Sequence, residues 1–150
     1  MKLYRSIMFI AAFLFLASLA YDANALDQKS EKAIKAFLSS QESDRESAES
    51  QGSAVADLNN DGKPELILVW TLLGPTYWQN NLTVLSQTAK GYEPVASLQL
   101  EGEAKLSSVD NGIISIDQAV YAKGDPKCCP SIKKQVKYRW SGKKIEEIKK

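Results

Sequence analysis

The chain has 150 residues, 44% of them hydrophobic, with 19 basic and 18 acidic side chains, two cysteines and no histidine. That length builds one domain, and the near-neutral charge provides no strong field for drawing in nucleic acid or an anionic membrane. The lack of histidine excludes Ser-His-Asp and Cys-His catalysis and removes the commonest transition-metal ligand.

Residues 1–25 read as a secretory signal peptide. Lys2 and Arg5 form a basic start, Ile7 to Ala20 is almost wholly apolar, and Ala23-Asn24-Ala25 is a small-x-small cleavage site. The apolar run is shorter than the ~20 residues of a spanning helix, and no cysteine follows it to carry a lipid. An uncleaved anchor is the alternative. Cleavage after Ala25 removes Lys2, Arg5 and Asp22 and leaves residues 26–150 as a single exported domain with basic and acidic side chains in balance. The expected address is periplasmic or secreted, with no stable membrane span after cleavage and no nucleic-acid partner.

Within that domain, residues 26–40 predict an amphipathic helix. Asp27 or Ser30 offers a cap, and Ile34, Phe37 and Leu38 fall at i, i+3, i+4. Residues 41–53 are rich in Ser, Glu and Gln and read as a polar linker. Residues 54–150 carry strand signals. Val55 leads in, and Leu66 to Leu72 is apolar on both parities, as a central strand covered on both faces requires. The small helix is a candidate cover for one face. Leu82 to Ser86, Tyr92 to Leu100, Lys105 to Val109, Ile113 to Tyr121, Ile132 to Trp140 and Lys144 to Ile148 follow. Asp110-Asn111-Gly112 and Ser141-Gly142 are hairpin signals. The expected fold is α+β, mostly β: an antiparallel meander of about seven strands with one N-terminal helix packed on it. Pattern alone also allows a barrel or a sandwich.

Between Val55 and Leu66 lies the stretch whose spacing implies chemistry, Asp57-Leu58-Asn59-Asn60-Asp61-Gly62-Lys63-Pro64-Glu65. Oxygen-bearing side chains recur at Asp57, Asn59 and Asp61, and Gly62 follows where a sharp turn is needed. The Lys63 carbonyl and the Glu65 carboxylate can complete a ring of hard donors, which points to Ca²⁺. A metal-free Asx turn uses the same residue types.

DLNNDGKPEL resembles the calcium loop of FG-GAP repeats, the integrin-alpha-like and VCBS-type propeller blades, with Glu65 where the last Asp of their pattern stands. The resemblance covers one blade, Val55 to roughly Leu100, without a second copy of the loop. It implies the loop and not a propeller, which needs several blades. An EF-hand fits less well, because Leu68 falls where its closing acid belongs.

The only cysteines, Cys128 and Cys129, sit in Gly124-Asp125-Pro126-Lys127-Cys128-Cys129-Pro130-Ser131 between two expected strands. Export favours a disulfide. A vicinal bond, bonds to a partner chain and two thiols are the three readings, and the first is the expectation. DPKCCPS is similar to the D-P-x-C-C-P-S signature of small bacterial envelope proteins of the LppP/LprE type, although a lipidation cysteine is missing here. That likeness implies an envelope address and no particular activity.

Tyr77 and Trp78 are placed in a loop from Gly74 to Asn81, either anchoring a ligand or folding over the sheet end. Asn81-Leu82-Thr83 matches an N-glycosylation acceptor. Asp57, Asp61, Glu65, Asp110, Asp117 and Asp125 supply carboxylates from which a glycosidase pair can be drawn, as in any small protein. The sequence therefore predicts a non-enzymatic exported envelope domain with a structural Ca²⁺ loop, engaging an envelope protein, peptide or glycan. The alternative is a small cell-wall hydrolase or hydrolase inhibitor, and a third reading gives the cysteine pair a redox role.

Overall fold

The computed structural model describes residues 26–149; the signal sequence expected over residues 1–25 lies outside them. The helix α1 (Gln28–Gln41) begins where Asp27 accepts a hydrogen bond from the Ser30 amide at 2.7 Å, satisfying one of the free donors of the first turn. The Asp27 carboxyl is accordingly held below its usual range, chiefly by that Ser30 contact.

Eight strands follow in two sheets. β1 (Ser47–Ala56), β2 (Glu65–Leu73), β3 (Trp78–Thr88) and β4 (Gly91–Leu100) form one, in that order and all antiparallel. The second sheet orders β5 (Glu103–Asp110), β6 (Ile113–Val120), β7 (Ile132–Trp140) and β8 (Ile145–Glu147) in the same way. The fold is α+β and mostly β, with the helix packed on the first sheet; the strands make two successive four-stranded meanders.

Two expectations change at the edges. The polar linker expected over residues 41–53 is instead a tight Ser43–Glu46 turn followed by β1. β1 is an edge strand, and its ladder to β2 asks only for backbone groups, so Ser47, Glu49 and Ser50 keep their side chains in water. The loop placed over Gly74 to Asn81 is shorter, because Trp78 already pairs with Leu73 and opens β3.

β2 is covered on both faces, as its composition requires. Leu66, Leu68 and Trp70 face the helix, where Ala33, Ile34, Phe37 and Leu38 pack against them. Phe37 meets Trp70 edge-on, with ring centroids 5.5 Å apart. Ile67 and Val69 face the other way, into the core between the sheets, with Leu82, Val84, Ile114, Ile116, Val136 and Tyr138. Fully burying one such aliphatic side chain contributes roughly 1.5–3 kcal/mol, so this double burial dominates the stability of the fold.

The chain passes from one sheet to the other through Glu101-Gly102. Gly102 has φ +62°, and a Cβ there would stand 1.9 Å from the Ala119 carbonyl oxygen, so the corner admits no side chain. From it β5 runs across β3, β2 and β1 in turn. The expected Asn111-Gly112 hairpin is present, with both residues at positive φ. A Cβ on Gly112 would lie 2.7 Å from the Leu58 carbonyl oxygen, so this hairpin presses against the Asp57–Glu65 loop of the other sheet. Among the described residues no helix is long and apolar enough to cross a membrane.

Candidate functional site

The Asp57–Glu65 loop is curled by its own side chains. Asp57 accepts the amides of Asp61 at 3.2 Å and Gly62 at 2.8 Å, one on each carboxylate oxygen. Asn59 Oδ1 accepts the Asp61 amide at 3.0 Å, and Asp61 Oδ1 accepts the Lys63 amide at 2.8 Å. These bonds curl the loop around its own amides, while Leu58 packs into the core between the sheets. Asn60 and Gly62, both at positive φ, supply the reversal.

Glu65 differs from its neighbours. It is the first residue of β2, buried to 2% exposure, and its Oε2 accepts the Leu58 amide at 2.9 Å. Burial raises its pKa above the ordinary carboxylate value, and the charges of Asp61 and Asp57 raise it further. Three carboxylates thus share one neighbourhood. As placed, however, no three acidic or cysteine side chains among the described residues are grouped closely enough to hold an ion by themselves. The donor set fits a hard cation in chemical kind: carboxylates, the Asn59 amide oxygen and the Lys63 carbonyl.

The cysteine loop joins β6 to β7. Cys128 and Cys129 are bonded to each other, the expected vicinal pairing, with Cα atoms 3.8 Å apart. Asp125 organises the loop, accepting the amides of Ala122 and Ser131 at 2.7 and 2.8 Å and the Ser131 hydroxyl as well. Those bonds, led by the Ala122 amide, hold its carboxyl below the usual range. Tyr121 lies just past the end of β6, and its hydroxyl bonds the Lys127 carbonyl at 2.5 Å.

Of the six carboxylates from which a hydrolytic pair can be drawn, Asp57, Asp61 and Glu65 share the acidic loop, whereas Asp110 and Asp117 lie apart. Asp110 closes the β5–β6 hairpin opposite Ile113, whereas Asp117 lies farther along β6, opposite Lys105, and takes a hydrogen bond from Gln135. Asn81 is buried and hydrogen-bonded to Gln79, so the Asn81-Leu82-Thr83 pattern is not an accessible acceptor.

The structure also assembles a set of residues that the sequence pattern did not single out. On each central strand the core-facing parity turns polar toward one end. β2 carries Ile67, Val69 and then Thr71; β3 carries Val84, Leu82 and then Asn80; β6 carries Ile114, Ile116 and then Gln118. Thr71 and Asn80 are directly opposed in the ladder, as are Gln118 and Lys134. The two sheets part here into an open cleft with lobes of about 1040 and 830 Å³, which meet at Trp78 and Asn80. The signal in the sequence was the break in apolar alternation at Thr71, Asn80 and Gln118. It was legible only once the register between strands was known.

The Thr71 hydroxyl bonds Asn80 Oδ1 at 2.5 Å, and Asn80 Nδ2 donates to the Gly102 carbonyl at 2.7 Å. Gln118 is 5% exposed, and its Nε2 has no hydrogen-bond partner. Its amide lies near enough to the Tyr138 hydroxyl to favour that group's ionised form slightly, without completing a hydrogen bond. Burial outweighs this effect and pushes the Tyr138 pKa up to about 12.

At the rim, Tyr77 and Tyr121 are 47% and 42% exposed. The Tyr77 hydroxyl donates to Glu46, which raises the pKa of the phenol and lowers that of the carboxyl. The Tyr77 ring lies over Gly74, where a Cβ would come within 2.4 Å of it. No protein-family model, curated protein or solved structure matches the chain.

Proposed function

We propose that this protein is a non-enzymatic binding domain of the bacterial envelope, exported to the periplasm or secreted, whose Asp57–Glu65 loop takes a structural Ca²⁺. The observation that carries the calcium reading is the curl of that loop. Both Asp57 oxygens accept amides from the far side of the turn, and Asn59 accepts the Asp61 amide, which is the wrapping that convergence on an ion requires. The buried, proton-favouring Glu65 supports it, because a divalent cation would relieve the mutual repulsion that Asp57 and Asp61 impose there. Asp57, Asn59, Asp61 and Glu65 would hold the ion through side chains and Lys63 through its carbonyl. The ion supplies positive charge and a fixed point; the chain's own residues then couple the loop to the sheets. Glu65 begins β2, and Leu58 anchors the loop in the core against the Gly112 hairpin.

The binding reading rests on the cleft and its aromatic rim, with an envelope protein, peptide or glycan as partner. The resemblance of DPKCCPS to the envelope signature and of residues 1–25 to a secretory signal support the address. Calorimetric Ca²⁺ titration with a parallel melting curve tests the metal. Saturable heat and a rise in Tm, both abolished in Asp61→Ala, are expected. No heat and an unmoved Tm in the unaltered protein would end the calcium reading.

A further inference from the structure

We propose that the polar cleft between the two sheets is a binding site for a neutral oligosaccharide, read by Gln118 from below and by Trp78 from the side. This deepens the binding-domain reading and rests on it, but is independent of the calcium loop.

The first argument is positional. Core-facing positions at the middle of a sandwich are apolar, because a buried polar group without a partner is destabilising. Here β2 and β3 of one sheet and β6 of the other place Thr71, Asn80 and Gln118 on that parity toward one end of the sandwich, each less than 10% exposed and each lining the same lobe. Thr71 and Asn80 satisfy one another and the chain corner at Gly102. This fixes their geometry and leaves the Gln118 Nε2 as the donor without a partner. Gln118 lines this cleft with its Nε2 covered beside the Tyr138 hydroxyl, and a ligand oxygen entering there would supply the partner that this donor lacks.

The second argument concerns the ligand's chemistry. A pyranose ring offers C–H faces that lie against an aromatic ring and hydroxyl edges that both donate and accept. The cleft presents the matching surfaces: Trp78 where its two lobes meet, Tyr77 and Tyr121 exposed at the rim, and side-chain amides and a hydroxyl between them. Charge argues against a polyanion. The two lobes together are lined by four carboxylate and four lysine side chains, and Lys134 faces Glu101 at 3.7 Å. A groove for nucleic acid or an acidic polymer is instead predominantly basic. An extended peptide is favoured by a free sheet edge that it can join as a strand, whereas this cleft is floored by side chains from interior strands.

The test is titration of the purified protein with cellotetraose, maltotetraose and tetra-N-acetylchitotetraose, read by calorimetry and tryptophan fluorescence. A tryptic digest of casein serves as the peptide arm, and every titration is repeated with Ca²⁺ and with EDTA. At least one tetrasaccharide should saturate at millimolar concentration or below. Trp78→Ala should weaken it by about tenfold or more, with partial recovery in Trp78→Phe. Gln118→Met, which keeps the side chain's volume, should weaken it severalfold while leaving the melting transition cooperative, so the inference survives a poorly folded Trp78→Ala. Three results would overturn it: no saturation by any tetrasaccharide up to about 10 mM, saturation indifferent to both Trp78→Ala and Gln118→Met, or binding of the digest alone. The last would leave the binding-domain reading standing with a peptide as partner. Sugar binding that is the same with Ca²⁺ and with EDTA supports the inference, because the cleft lining shares no residue with the Asp57–Glu65 loop.

Discussion

The two halves of the space between the sheets share strands, parity and ladder, yet differ in chemistry. In one half, Ile67, Val69, Leu82, Val84, Ile114 and Ile116 interdigitate at 0% exposure. In the other, the same strands present Thr71, Asn80 and Gln118, and the sheets separate. A close-packed interior gains dispersion and hydrophobic energy from every methylene. The polar half gives up that gain to place hydrogen-bonding groups along the wall of a cleft. The first half therefore holds the domain together, and the second, at a stability cost, is where the proposed site lies, the trade-off common at functional surfaces.

The largest expected effect lies in the packed half. Ile116→Ala removes a fully buried side chain from the centre of the core and should destabilise the domain by about 2–5 kcal/mol in denaturant unfolding. A loss below 1 kcal/mol would mean that this half is loosely packed and that the contrast is false.

The open half predicts the opposite sign. Gln118→Met removes a buried donor that has no partner and substitutes an apolar chain of similar length. The expected outcome is a stability change between zero and a gain on the order of 1 kcal/mol, measured in the same unfolding assay. A loss comparable to that of Ile116→Ala would show that Gln118 supports the fold and is not held in reserve for a ligand.

The smallest effect is a pH dependence at the rim. The Asp125 carboxyl is held below its unfolded value of 3.8 by the Ala122 and Ser131 amides. The stability that it confers is present above pH 3.8 and is lost as pH falls through the lower folded value. Amide hydrogen exchange at Ala122 and Ser131 should quicken below that point, and in Asp125→Asn it should already be quick at neutral pH. Exchange at Ile114 in the packed half should not change. A rim insensitive to both acid and Asp125→Asn would mean that the disulfide, and not the carboxylate, orders the loop.

Much of this architecture was legible in residue order. Ile34, Phe37 and Leu38 marked the helix face, the unbroken Leu66–Leu72 run marked a strand covered on both sides, and Asn111-Gly112 marked a hairpin; all depend on local periodicity or local backbone freedom. Residues 47–53, the first part of β1, have the polar composition of a linker, whereas their place in the sheet depends on the backbone ladder that β2 offers. The acidic loop was legible as a motif, since its contacts span no more than seven residues, from Leu58 to Glu65.

The sequence by itself determined the mostly-β class, the helix and its buried face, the curled Asp57–Glu65 turn and the adjacency of Cys128 and Cys129. Only the tertiary structure decided that the strands divide into two stacked sheets, that Leu58 ties the acidic loop to the Gly112 hairpin, and that Thr71, Asn80 and Gln118 share one cleft. The reason is range. Periodicity reports which side of its own strand a residue occupies, but which strands then face one another depends on the Glu101-Gly102 corner and on how two separate apolar faces bury each other.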